Sequence, residues 1–132
     1  MNQGEIAYQV ETDKNFEAAV ISVLQAIERK GWSIFQIYDI SERLKAKGFA
    51  HQPVKIIEFC SAKYADEFLG KNRLSAICLP CKIVVLSEMD KVKKVKIVVM
   101  KPIILSQLFP EISREEASEA EKEIEEIISQ AA

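Results

Sequence analysis

Cys78-Leu79-Pro80-Cys81 sets two thiols in a CxxC spacing directly ahead of the apolar run Ile83-Val84-Val85-Leu86, and a third thiol, Cys60, closes an earlier apolar run. Thiols so placed can form a redox pair, ligate a metal, line a ligand pocket or pack as small hydrophobes. A CxxC pair is activated when its first thiol sits at a helix N-terminus, where the dipole favours thiolate. Here the motif runs into strand-forming sequence, so that activation is missing. Cys60 stands at a strand end just ahead of a helix start, where free backbone N–H groups favour an anion, so it is either a thiol of lowered pKa or a packed cysteine closing the strand. Cys60, Cys78, Cys81 and the single histidine, His51, add up to a Cys3His set. Structural zinc sites use two close ligand pairs, and only one pair here has that spacing, so no metal site and no cofactor are expected.

Other chemistry is sparse. Gly4, Gly31, Gly48 and Gly70 are isolated, which leaves no glycine-rich phosphate loop. With one histidine in a Lys/Gln-rich loop, no Ser/His/Asp triad can be assembled. Lys91, Lys93, Lys94 and Lys96 could touch phosphates, but they lack aromatic neighbours for base stacking and read instead as the solvated face of a strand. Asp39, near the end of a strand, is either a ligand-binding carboxylate or one bonded to nearby backbone.

The elements that must position these residues follow from periodicity. A chain of 132 residues with 48% hydrophobic and 29% charged residues fits one globular domain, large enough to fold without staples. No apolar run is long enough for a membrane span, no signal peptide is recognisable, and three scattered cysteines suit a reducing, cytoplasmic setting. The abundance of Ile, Glu and Lys is compatible with a thermophilic source. The net charge of −2 conceals a basic body and an acidic segment after residue 110, which reads as a solvated acidic helix rather than as a nucleic-acid face.

Residues 6–10 alternate as a strand, and a helix capped by Thr12-Asp13 carries Phe16, Val20, Val23, Leu24 and Ile27 on one face before Gly31. Residues 32–40 form a second strand, 41–48 a two-turn helix, and 54–59 a third, central strand. Ser61 opens a helix that Gly70 ends, with Ala65, Phe68 and Leu69 turned inward, and residues 71–77 form a connection. Strands over 81–86 and 92–100 make a hairpin across 87–91, with Val95, Ile97 and Val99 on one side and Lys94 and Lys96 on a wet one. Pro102 and Pro110 bracket an irregular or one-turn segment. Ser113-Arg114-Glu115-Glu116 then has the form of a capping box, ahead of a helix over about 113–130 with the stripe Ala117, Ala120, Ile124, Ile127 and Ile128. The order β-α-β-(α)-β-α-β-β-α predicts an α+β, two-layer fold: a largely antiparallel sheet with helices mainly on one face.

Tyr8-x-Val10-x-Thr12 followed by Phe16-Glu17-x-Ala19-Val20, then Lys30-Gly31-Trp32, Asp39-Ile40, Leu44-x-x-Lys47-Gly48, Cys60 at a strand end and Leu79-Pro80-Cys81 form an ordered set of marks. In that order they resemble the DUF302 family over roughly residues 6–105. The chain departs from the family's usual pattern at Ser61-Ala62, Ile37 and Lys82, and Cys78 lies outside it. The resemblance implies a single small α+β domain, typically a homodimer with no established activity, in which Cys60 and Cys81 belong together. The expected function is therefore a non-enzymatic, homodimeric domain that binds a small molecule or protein partner near Cys60, Cys81 and Asp39. The alternative is thiol-based redox or sulfur-carrier chemistry with Cys60 as nucleophile and Cys81 beside it.

Overall fold

Strand-forming runs and amphipathic helices arrange themselves as two layers in the computed structural model, which describes residues 2–89 and 93–132. Among the described residues, β1 (Ala7–Thr12), β2 (Ser33–Asp39), β3 (Val54–Cys60), β4 (Cys81–Met89) and β5 (Lys93–Met100) form one antiparallel sheet in the order β1-β5-β4-β3-β2. The helices are α1 (Gln3–Ile6), α2 (Phe16–Arg29), α3 (Ile40–Lys45), α4 (Ala62–Lys71), α5 (Ile103–Leu108) and α6 (Arg114–Ala131), with a 3₁₀ turn over Arg73–Cys78.

Register decides what is buried. Ile57 stands opposite Ile83, Ile83 opposite Val99, and Val85 opposite Ile97, so one face of the sheet is a continuous apolar row. All of these side chains are buried. The other face carries Lys82, Lys94 and Lys96 and stays wet, as the alternation of β5 predicts. Onto the apolar face α2 lays Ala19, Val20, Val23, Ala26 and Ile27, and α6 packs against α2, α5 and β1 with Ala117, Ala120, Ile124, Ile127 and Ile128. Each isoleucine so buried contributes roughly 1.5–3 kcal/mol.

Several boundaries differ from expectation for local reasons. Thr12 is still paired in β1, opposite Val95, so the cap of α2 falls to Asn15, whose Oδ1 accepts the Ala18 N–H at 2.9 Å. The helix expected over 41–48 spans Ile40–Lys45, because Asp39 caps it: its Oδ1 accepts the Glu42 N–H at 3.0 Å. Gly70 lies inside α4, which runs to Lys71, and the inward side chains of that helix are Tyr64 and Phe68, with Ala65 and Leu69 half-buried. The stretch after Gly70 is no plain connection, because Asn72 Oδ1 accepts the Leu74 N–H and starts the 3₁₀ turn. β4 continues to Met89, so Ser87 and Glu88 belong to the ladder; the remainder of the expected turn, with Lys91 and Val92, lies outside the described residues. Gly31 does close α2 as expected: at φ +81° it sits where a side chain would be strained, while the Trp32 N–H bonds back to the Ile27 carbonyl. Ser113 caps α6 by accepting the Glu116 N–H at 3.0 Å.

One carboxylate ties three elements together. Glu123 on α6 accepts a hydrogen bond from the Trp32 Nε1–H at 3.3 Å and another from the Tyr64 hydroxyl, joining α6 to the start of β2 and to α4. Trp32 in turn lies 5.3 Å from the Phe59 ring and 5.7 Å from Tyr64. Glu123→Ala leaves both nearly buried donors without an acceptor and is expected to cost about 1–3 kcal/mol. Urea unfolding would show a lower midpoint at unchanged slope, partly restored in Glu123→Gln; an unchanged midpoint would mean the carboxylate holds nothing.

Candidate functional site

The ladder between β4 and β5 ends at Ile83–Val99. Beyond that pair, Lys82 is matched outward to Glu58 on β3 and Met100 outward to Ala7 on β1. Pro80 precedes β4 and Pro102 follows β5, and neither has an N–H with which to extend the pairing. The two strands therefore part, and a cavity of about 250 Å³ opens between their ends.

Three segments wall it. The strand ends supply Cys81, Lys82 and Met100; the 3₁₀ turn and its exit supply Ile77, Cys78 and Pro80; and the entry to α5 supplies Pro102 and Leu105. Each segment is held from behind. The Leu79 N–H bonds to the Ala76 carbonyl at the end of the turn, and Glu121 Oε1 on α6 accepts the Ile103 N–H at 3.2 Å to seat α5. Ser75 in the turn is fully buried with its hydroxyl unpartnered, and Ile77 is 79% exposed beside the opening.

All three cysteines are free thiols near one end of the sheet. Cys81 stands opposite Phe59, so Cys60, one residue further along β3, is its diagonal neighbour. The pleat turns the two to opposite sides: Cys78 and Cys81 pack against the core and line the cavity, whereas Cys60 is buried but lines no part of it. Burial pushes the Cys81 thiol up to about 12, with Cys60 and Cys78 adding to the shift. Burial also raises Cys78, against the Lys82 ammonium, and raises Cys60, against a backbone hydrogen bond with Ser61. Of the two readings open for Cys60, the lowered pKa does not hold, because desolvation inside the body outweighs the adjoining start of α4.

Asp39 is not brought to the thiols. It lies at the far end of β2, opposite Lys55, whereas Ser33 at the other end stands opposite Cys60. Its carboxylate is taken by the Glu42 N–H and the Ser41 hydroxyl, which together hold its pKa below the usual value against partial burial. His51 lines a separate surface hollow with Ser41, Glu42 and Lys45, so the Cys3His set is not assembled. Among the described residues no group of three or more His, Cys, Asp or Glu side chains is placed to hold a metal ion. A wider hollow of about 650 Å³ at the opposite end of the sheet includes Lys14 and Asn15, but these already bond to the Ala132 carbonyl and the Ala18 N–H.

The cavity makes Lys82, Met100 and Leu105 candidates that sequence reasoning passed over, and it brings back Cys78, which the resemblance left outside its pattern. The signal for them was the pair of prolines, Pro80 and Pro102, that flanks β4 and β5 on the same side of the sheet.

Comparison with known proteins gives the fold a wider setting. The sequence model described as "Domain of unknown function DUF302" matches residues 8–131. The crystal structure of an uncharacterized conserved protein DUF302 from Bacillus stearothermophilus superposes with a TM-score of 0.86 at 24% identity, covering 96% of this chain and 98% of that one. A search of curated proteins gives no match. At that identity the superposition speaks for the fold.

The thiol environments have a measurable consequence. Alkylation by iodoacetamide is expected to be slower than that of free cysteine at pH 7–8 for every thiol, with Cys78 labelled before Cys81. The rate should still be climbing well above pH 8.5, near which free cysteine titrates. A thiol labelled with a midpoint below that pH would overturn this account of the site.

Proposed function

We propose, for a chain that belongs to the DUF302 family, a non-enzymatic role: it binds a small molecule in the cavity between the ends of β4 and β5, and it does so as a homodimer. The cavity itself carries this reading. It is walled by Ile77, Met100, Pro102 and Leu105, with the thiols of Cys78 and Cys81 and the amine of Lys82 as its polar side-chain groups. A few polar groups in a mostly apolar concavity suit binding. The thiol alternative, with Cys60 as nucleophile and Cys81 beside it, ranks second, because burial raises all three thiols and Cys60 lines no part of the cavity.

Titration of the isotopically labelled protein with 1-hexanol tests the reading by amide shifts. Saturable changes at Cys78, Cys81 and Leu105, abolished in a folded Cys78→Phe variant that fills the space, are expected. Shifts scattered over the surface, or unaffected by the filling substitution, would sink it.

For the dimer we look to the open face of the sheet. There the pleat places Val54, Ile56, Val84, Leu86 and Val98, all half-buried, beside the exposed Met100. Charges at the rim are neutralised within the chain by Lys94–Glu11 at 3.1 Å and Lys96–Glu88 at 3.1 Å, so two such faces can meet without like-charge repulsion. Sedimentation equilibrium should give twice the chain mass of 14.9 kDa, and Ile56→Lys should give the chain mass with its fold intact. A monomer for the unaltered protein would remove the dimer from the proposal.

A further inference from the structure

Lys82 is the one charged residue on the cavity wall. Its cross-strand neighbour Glu58 directs its carboxylate elsewhere, accepting the Tyr38 hydroxyl at 2.7 Å. Among the described residues Lys82 makes no ion pair, although Lys30, Lys55, Lys71, Lys94 and Lys96 each do. Lys82 thus lines the cavity without an ion-paired carboxylate among the described residues. Cys78 and Cys81 add no negative charge that would repel an anion, since both are held as neutral thiols.

Resting on the cavity being a binding site, we infer that its ligand is a short apolar monocarboxylate, with its hydrocarbon body against Cys81, Met100 and Leu105 and its carboxylate against the Lys82 ammonium. Size and charge both limit the class. An apolar cavity of about 150 Å³ holds benzene, so a space of about 250 Å³ accommodates roughly six to eight carbons. One ammonium, with no arginine fork and no glycine-rich loop beside it, matches a single negative charge rather than a phosphate dianion. Chains much longer than this would extend past Ile77 into solvent.

Three six-carbon probes separate the contributions: hexanoate, 1-hexanol and hexylammonium, each followed by amide shifts at Cys78, Cys81 and Leu105. Hexanoate is expected to bind about fivefold more tightly than hexanol, the scale of an exposed ion pair, with hexylammonium weakest. Added salt should erode the advantage of hexanoate and leave hexanol unchanged. Lys82→Met, which keeps the aliphatic stem, should bring hexanoate down to the level of hexanol or below; Lys82→Gln serves the same purpose if the Met variant does not fold. If hexanol binds as tightly as hexanoate, or if neutralising Lys82 leaves their ratio unchanged, the carboxylate assignment falls while the cavity remains a binding site. If none of the three shifts those amides, the binding site itself falls, and the assignment with it.

Discussion

Phe59 stands opposite Cys81, and the register this fixes between β3 and β4 governs the rest of the molecule. A slip of β3 by one residue would turn Ile57 and Phe59 out of the core and bring Glu58 in. The same pairing brings the end of β3 next to the beginning of β4, so all three cysteines gather at one end of the sheet. It also sets where β4 and β5 cease to pair, and hence where the sheet opens. The helices fit this register, since α2 lays its apolar stripe on the buried face of the sheet and α6 packs its own against α2, α5 and β1. Glu123 then holds that arrangement at the far side of α6 by collecting two aromatic donors.

Much of this architecture was legible in the sequence, because it is written in local periods. The 3.6-residue stripe of Ala117, Ala120, Ile124, Ile127 and Ile128 and the two-residue alternation of Val95, Ile97 and Val99 each specify a buried side without reference to the remainder of the chain. Caps were less legible, because several candidate side chains sit close together and tertiary pairing chooses among them. Thr12 could have capped α2 had it not been engaged in β1, which leaves the cap to Asn15. The 3₁₀ turn over Arg73–Cys78 has no periodic signature at all and arises from one asparagine side chain.

The site was half legible, and the division has a geometric cause. In an antiparallel sheet the end of one strand meets the beginning of the next. Cys60, closing β3, and Cys81, opening β4, must therefore share an end of the sheet, whereas Asp39, closing β2, meets the beginning of β3 at Lys55. Strand polarity alone separates the carboxylate from the thiols. The pleat then separates Cys60 from Cys81 by face, which explains why Cys78, reached through the turn rather than along a strand, becomes the thiol that shares the cavity with Cys81. Lys82 could not be singled out beforehand, since an unpaired lysine becomes visible only once the partner of every neighbouring carboxylate is known.

The position of β1 at the edge of the sheet has a consequence in time. Among the described residues its only strand partner is β5, about 90 residues later in the chain, with Tyr8 opposite Val99 and Val10 opposite Ile97. At 5–20 residues per second, a ribosome needs roughly 4 to 18 s to make that partner after β1 has been polymerised. Throughout this interval the first strand and the apolar side of α2 have no sheet to join, while β2 and β3 can already pair. Synthesis therefore builds the sheet from its other edge inward, and the strand made first is the last to be placed.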